Sequence, residues 1–210
     1  MQTLTDIILA SASPRRHELL SSLGIGVRVV PSGVDEVDRA DRTPLENAIA
    51  HAAAKAAAVA ERTPAGLVVA ADTVVDVDGA TLGKPHDRAE AAAMLRRLAG
   101  REHLVHTAFA LADRPSGRRL ARTSTTRVRF FPLSETEIAD YVAGDEPLDK
   151  AGAYGIQGRG AVLVASIDGD FYTVMGFPMA LFVRSLPELG YGLPTLAGRE
   201  PALAAGTVGA

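Results

Sequence analysis

The residues best suited to chemistry in this sequence are acids and bases that stand where strands or helices end. Asp72 follows a continuous apolar run, Leu67 to Ala71, of the kind that forms a strand buried on both faces. A carboxylate at the end of such a strand is either paired with a cation or active in chemistry. The pattern alone fits both a working acid and a solvated strand-end acid beside a lysine.

A hairpin follows this strand and brings a lysine back towards the acid. Asp78-Gly79 is a strong signal for a two-residue turn, which places Thr73 opposite Lys84. Ideal pleating would direct Asp72 and Lys84 to opposite faces of the sheet. We therefore predict that the second strand bulges or stops at Gly83, because a glycine and the proline two residues later both interrupt a ladder.

Two arginines stand in the first turn of the first predicted helix. Ser13 is a suitable N-cap, and Pro14 fits the first helical position. Arg15 and Arg16 follow, although the positive end of a helix dipole favours anions. Backbone N–H groups, the dipole and two guanidinium groups together suit a polyphosphate. The alternative is that both arginines point into solvent.

Three further charged residues complete the candidate set. Asp35 and Glu36 lie in a loop after the second predicted strand, and Lys55 lies on an alanine-rich helix. By itself such a lysine is typical of a surface side chain whose aliphatic part covers apolar neighbours. The acids and bases together suit a phosphoanhydride substrate bound with a divalent cation, where a carboxylate near the α-phosphorus takes a proton from water.

Capping signals and hydrophobic patterns define the elements that must position these groups. The predicted strands cover 7–10, 27–31, the central stretch from 67 to 77 with its hairpin partner, 103–111 and 118–131, and the predicted helices begin at Pro14, at Pro44, after Asp87, after Ser134 and after Pro178. A second hairpin, 161–167 with 171–174, is predicted around Asp168-Gly169. The glycine-rich stretch 144–160 is predicted to be an irregular, functional loop.

Composition limits the class of protein. The 210 residues include 47% hydrophobic residues and no cysteine, and the absence of cysteine excludes disulfides and thiolate catalysis. The net charge of −3 disfavours a general nucleic-acid binder, which would normally be basic. No run is long enough for a membrane span and no signal peptide is evident, so we expect a cytoplasmic protein. His51, His103 and His106 lack metal-ligand spacing and are interpreted as structural or exposed.

The chain shows neither an internal repeat nor a linker that marks a boundary between domains. We therefore expect one domain over residues 1–190. Residues 191–210 are rich in Gly, Ala and Pro and are predicted to form a flexible tail.

Several ordered motifs resemble those of the Maf family, the septum-formation-inhibitor-like nucleoside triphosphate pyrophosphatases. The resemblance covers the chain up to about residue 190. The matching segments are Ser-Ala-Ser-Pro-Arg-Arg at 11–16, Gly-Val-Asp-Glu at 33–36, the lysine-bearing helix at 52–56, Ala-Asp-Thr-Val at 71–74, Gly-Lys-Pro at 83–85, Glu146 to Gly158, and Gly-Phe-Pro at 176–178 with Phe177 where Leu is usual.

The resemblance implies a fold and a set of residue roles. The fold is mixed α/β, a central mixed sheet flanked by helices with two lobes around a nucleotide-binding cleft, often in a homodimer. The implied catalytic residues are Asp72, as proton acceptor, together with Lys84 and Glu36. The resemblance also implies a divalent cation (Mg or Mn) held by Glu36 and Asp72. The implied substrate-binding residues are Ser11, Arg15, Arg16, Lys55, Thr73 and Gln157.

The form of the long loop indicates the substrate. Its Ala-Gly-Ala-Tyr-Gly-Ile-Gln sequence resembles the branch that hydrolyses dTTP and UTP to the monophosphate and pyrophosphate. The resemblance implies a house-cleaning role, in which canonical or modified pyrimidine nucleotides are removed from the nucleotide pool. The Gln157 amide can both donate and accept, as a pyrimidine edge requires. The family is also linked with cell-division arrest. The competing hypotheses are a non-catalytic nucleotide-binding regulator of septum formation and a nucleic-acid-binding protein.

Overall fold

A computed structural model describes residues 1–193, which form a mixed sheet with helices packed on its faces. The strands are β1 (Gln2–Thr3), β2 (Asp6–Leu9), β3 (Gly26–Val29), β4 (Leu67–Val77), β5 (Ala80–Leu82), β6 (Glu102–Asp113), β7 (Arg119–Phe130), β8 (Val164–Asp168) and β9 (Tyr191–Gly192). The helices are α1 (Pro14–Ser21), α2 (Pro44–Glu61), α3 (Arg88–Leu98), α4 (Glu135–Val142), α5 (Phe171–Met175) and α6 (Met179–Ser185).

The order of strands confirms the predicted mixed α/β class. The main sheet runs β3-β2-β4-β6-β7-β8, with β5 on β4, and β1 pairs separately with β9. β2 is parallel to both β3 and β4, while β4, β6, β7 and β8 are antiparallel neighbours. Parallel neighbours need a crossover, which α1 supplies between β2 and β3, whereas the antiparallel half needs only hairpins and short connections.

Helices cover both faces of β4. Ala52 and Ala56 of α2 pack on one face, where the small side chains allow helix and sheet to approach closely. On the other face, α1 and α6 form an apolar cluster at one end, and α3 and α4 form a second cluster towards the hairpin. One cavity is lined by residues of both clusters, Met175 from the first and Val75 and Tyr154 from the second.

The sheet has an opening beside the middle of β4. β2 pairs with β4 only as far as Val69, and β5 pairs with it only from Val75 onwards. On that side, the β4 residues from 70 to 74 therefore have no neighbouring strand among the described residues. β5 ends at Leu82, so the prediction that the strand stops at Gly83 is confirmed.

The predicted helix starts are confirmed by their caps. Thr43 and Ser134 form capping boxes with Glu46 and Glu137, and the side chain of Asp87 accepts from the backbone N–H of Glu90. Across residues 1–193, none of the helices combines the length and apolar character that crossing a bilayer requires.

The predicted second hairpin around Asp168-Gly169 is wrong. Residues 164–168 do form a strand, but it pairs with β7, and the following segment is the short helix α5. The carboxylate of Asp170 caps α5 by accepting from the backbone N–H of Thr173 at 2.8 Å. A β-propensity pattern in residues 171–174 was therefore overridden by an N-cap one residue upstream.

The long loop and the C-terminal segment also differ from what the sequence predicted. Residues 144–160 are not wholly irregular, since 3₁₀ turns form at Glu146–Asp149, Ala151–Ala153 and Gly158–Leu163. The tail was expected from residue 191, but Tyr191 is buried and pairs with Gln2. The rest of the predicted tail, 194–210, lies outside the described residues.

Candidate active site

One cavity of about 1050 Å³ lies against the opening in the sheet. Asp72, Thr73 and Val74, which pair with β6 but have no described strand on the β2 side, form part of its wall. Every residue to which the family resemblance assigned a role lines this cavity: Ser11, Arg15, Arg16, Glu36, Lys55, Asp72, Thr73, Lys84 and Gln157. Asp35, which the sequence grouped with them, is not among the lining residues.

The opening explains how side chains from both faces of β4 reach one cavity. Asp72 points to the face covered by α2, and Thr73 points to the face covered by α1, because successive side chains of a strand alternate. With no described strand on the β2 side of these two residues, both side chains are accessible from the same space. Lys84 reaches this space as well, since the chain leaves β5 two residues earlier.

Lys55 is buried between two carboxylates. Its Nζ lies 2.8 Å from Oδ1 of Asp72 and 2.8 Å from Oε1 of Glu36. The alanine-rich face of α2 packs so closely on β4 that only 5% of Lys55 is exposed. Taken by itself, Lys55 was typical of a surface lysine, and that interpretation is wrong, because helix packing holds the ammonium against the strand-end acid.

Asp72 is held in its ionised form. Burial by itself would raise the pKa of Asp72, but the charge and hydrogen bond of Lys55, together with the charge of Arg16, outweigh burial and hold this pKa below its usual value. Asp72 is thus a carboxylate at neutral pH and can accept a proton.

Arg16 is fixed by three oxygen atoms on different elements. Its Nε donates to the carbonyl oxygen of Gly176 at 2.9 Å, its Nη2 to the Thr73 hydroxyl at 3.0 Å, and its Nη1 to the Ser11 hydroxyl at 3.3 Å. Thr73 is itself bonded at 2.9 Å to the hydroxyl of Thr107, which is fully buried. Burial lowers the pKa of Arg16, against the opposing charges of Asp72 and Glu36, but a guanidinium remains charged in proteins.

Arg15 meets an acid from the long loop across the cavity. Its Nη1 lies 3.5 Å from Oδ2 of Asp149, and both side chains are solvent-accessible. Lys150, next to this acid, bonds to the backbone oxygen of Glu146 at 2.8 Å. The arginine-bearing helix and the long loop are thus linked by an ion pair at the cavity wall.

The loop that carries Gln157 is pinned by the carboxylate of Glu146. That carboxylate accepts from the Tyr141 hydroxyl at 3.0 Å and from the backbone N–H groups of Arg159 and Gly160 at 3.0 and 3.1 Å. A Cβ at Gly160 would lie 2.2 Å from a backbone oxygen, so only glycine fits there. Gln157 therefore lies on a loop whose backbone is fixed by hydrogen bonds to the Glu146 carboxylate.

His51 is the site residue that the sequence reasoning missed. It was interpreted as structural or exposed, but its Nδ1 lies 3.4 Å from Oδ2 of Asp72, and only 8% of the residue is exposed. His51 and Lys55 are four residues apart on α2 and so face the same way. That spacing was the available signal. His103 and His106 do not line the cavity.

The residues present fit a divalent cation. Glu36, His51 and Asp72 each offer one ligand atom, and these atoms all lie within 4.8 Å of one another. Carboxylate oxygens are the ligands that magnesium and manganese prefer, and imidazole is a common ligand for transition metals.

Comparisons with known proteins show the family and the fold of the chain. The family model described as "Maf-like protein" matches residues 6–189. The dTTP/UTP pyrophosphatase of Bacillus velezensis is 50% identical over 182 residues, which cover 87% of this chain and 95% of that protein. The one from Symbiobacterium thermophilum is 49% identical, with coverage of 91% and 98%. A HAM1 protein from Coxiella burnetii shares the fold, with a TM-score of 0.51 at 17% identity over 88% of this chain and all of that one.

Proposed function

Because the chain belongs to the family of Maf-like proteins, we propose that it hydrolyses the α–β phosphoanhydride of dTTP and UTP, giving the monophosphate and pyrophosphate. The observation that carries the proposal is the buried Asp72–Lys55 pair, which opens into the same cavity as Arg15, Arg16 and Lys84. An ionised acid faces cations there, which is the combination that water attack on a polyphosphate needs.

The basic groups bind the triphosphate. Arg16 is preorganised by its three oxygen contacts, so little side-chain entropy is lost when phosphate oxygens bind its remaining N–H groups. Arg15 reaches the cavity from α1 and Lys84 from the segment after β5, and both stabilise the negative charge of the departing pyrophosphate. Ser11 and Thr73 set the orientation of Arg16.

Asp72 accepts a proton from the attacking water. Lys55 and Arg16 lower the pKa of this carboxylate and so keep it a weak base. A bound triphosphate brings negative charge that offsets those cations, which raises the basicity of Asp72 when substrate is present.

A divalent cation, magnesium or manganese, completes the proposed site and is held by Glu36 and Asp72. When bound, it supplies positive charge that neutralises phosphate oxygens. Lys55 lies 2.8 Å from one oxygen of each carboxylate, so the second oxygen of each remains to hold the cation.

The loop that carries Gln157 recognises the nucleobase. Gln157 lies on the cavity wall and offers both a donor and an acceptor to a pyrimidine edge. A cavity of about 1050 Å³ leaves room for substituents on that base. The proposal extends to a cytoplasmic homodimer that removes unwanted pyrimidine nucleotides.

A product assay tests the proposal. The purified protein is incubated with canonical and modified nucleoside triphosphates and either magnesium or manganese, and pyrophosphate and orthophosphate are measured separately. We expect pyrophosphate as the first product, fastest with dTTP and UTP. Orthophosphate as the first product contradicts the proposal, and tight nucleotide binding without any product favours a non-catalytic regulator.

A further inference from the structure

We propose that His51 is a third protein ligand of the divalent cation, and that this imidazole makes the site prefer transition metals such as manganese or cobalt over magnesium. The inference rests on the proposed function for the presence of a cation. It goes further because it names an additional ligand and the class of metal that the ligand selects.

The two ring nitrogens of His51 both face hydrogen-bond acceptors. Nδ1 lies 3.4 Å from the Asp72 carboxylate, while Nε2 lies 3.3 Å from the carbonyl oxygen of Val37 and 3.7 Å from a carboxylate oxygen of Asp38. In the neutral form, which is the form that binds a metal, an imidazole carries one N–H, so one nitrogen turns a lone pair towards an acceptor. A cation bound by Nδ1 and Asp72 removes this conflict.

The surroundings of Nε2 match those of a metal-bound histidine. Such a ligand nearly always donates its other N–H to a carboxylate or a backbone carbonyl, which fixes the ring and the tautomer. Val37 supplies that carbonyl, and it follows Glu36 directly in the chain. The same loop therefore presents one ligand and orients another.

The separation of Nδ1 and the Asp72 carboxylate also suits shared coordination. At 3.4 Å the pair is longer than a good hydrogen bond. Two ligands at about 2.1 Å from one ion lie roughly 3.0 to 3.4 Å apart in octahedral or tetrahedral geometry. Lys55 occupies Oδ1 of Asp72, so Oδ2 is the oxygen directed at His51.

An imidazole nitrogen changes which metal the site selects. Magnesium prefers an all-oxygen shell, whereas imidazole ligands favour later transition metals. Two carboxylates alone would leave magnesium competitive. With His51 included, manganese and cobalt should bind this protein more tightly than magnesium does.

Pulsed electron paramagnetic resonance of bound manganese tests the proposal without relying on activity. The wild-type protein with Mn²⁺, alone and with an α,β-methylene analogue of dUTP, should show coupling to an imidazole nitrogen. His51→Gln should remove that coupling and weaken manganese affinity at least about tenfold, the range in which even outer-shell partners of metal ligands act. Magnesium affinity should change much less.

His106→Gln is the matched control, because His106 is also buried and lies 3.3 Å from a carboxylate, that of Asp76, but does not line the cavity. It should leave both the coupling and the affinity unchanged. Absence of nitrogen coupling in the wild-type protein overturns the proposal, as does coupling that persists in His51→Gln. Pyrophosphate release by the same wild-type sample reports on the proposed function separately, so the two can fail independently.

Discussion

Nζ of Lys55 lies 2.8 Å from Oδ1 of Asp72, and both residues are at most 5% exposed. Removing two charges from water costs several kcal/mol per ion, and their attraction only partly offsets this cost. A buried pair is therefore weak evidence for stability. Its position, where β4 has no neighbouring strand on the β2 side among the described residues and meets the cavity, indicates a role in chemistry.

Replacing Asp72 with Asn should abolish most turnover. The amide retains the size of the side chain and an acceptor for Lys55 but cannot take a proton from water. We expect the rate of pyrophosphate release to fall by at least about 100-fold, the lower end of what a positioned base contributes. Circular dichroism and thermal unfolding should show a folded protein.

Asp78→Asn is the matched control for this variant. Asp78 lies in the hairpin turn of the same strand, with φ of 56° and an exposed partner, Arg101. Asparagine tolerates this backbone conformation, so stability and turnover should stay close to those of the wild-type protein. Near-normal turnover in Asp72→Asn would remove Asp72 from the mechanism.

Replacing Lys55 with Met should destabilise the protein at neutral pH. The variant leaves Asp72 buried without its cation and next to Glu36, which costs roughly 3 kcal/mol or more in the free energy of unfolding. Without Lys55, burial raises the pKa of Asp72, so the deficit should shrink as the pH is lowered and this carboxylate becomes protonated. Urea denaturation at pH 7 and pH 5 measures both effects, and an equal deficit at the two values would contradict the account.

Replacing Asp149 with Asn should improve substrate binding. Asp149 lies 3.5 Å from Arg15 and competes with phosphate for that guanidinium. Solvent-accessible pairs contribute at most about 1 kcal/mol, so we expect KM to fall by up to about fivefold with unchanged stability. Asp145→Asn is the control, since Asp145 pairs with Arg88 instead. A higher KM in Asp149→Asn would show that Asp149 assists binding.

Local signals in the sequence were sufficient for much of the fold. The Asp78-Gly79 turn, the strand end at Gly83 and the capping boxes of α2 and α4 form as predicted, because each depends on residues a few positions apart. Residues 171–174 were assigned wrongly, since one capping carboxylate outweighed their β propensity.

The site was harder to derive than the elements. The residue types near strand and helix ends indicated phosphate chemistry, but only the family resemblance indicated that they meet. What brings them together is the opening between β2 and β5, a property of strand register that no local pattern encodes. His51 escaped notice because its significance depends on Asp72, 21 residues away.

Acid should weaken the protein through His103. Burial lowers the pKa of His103 to about 4, from an ordinary value of 6.5, while its Nε2 stays bonded to the Tyr154 hydroxyl at 2.7 Å. The folded state therefore binds fewer protons than the unfolded state between these values. Stability from this group is complete above pH 6.5 and declines as the pH falls towards 4, by about 3 kcal/mol in total.

The double variant His103→Phe with Tyr154→Phe isolates this contribution, because it removes the imidazole and leaves no unpaired hydroxyl. The free energy of unfolding should then vary less with pH over that interval than in the wild-type protein. An unchanged slope between pH 6.5 and pH 4 would assign the acid sensitivity to other groups.

The most direct test of the central claim is hydrolysis of dTTP in water enriched in oxygen-18, with mass analysis of both products. Attack by a water beside Asp72 on the α-phosphorus predicts one labelled oxygen in the monophosphate and none in the pyrophosphate. Label in the pyrophosphate, or release of labelled orthophosphate, would contradict the proposed mechanism.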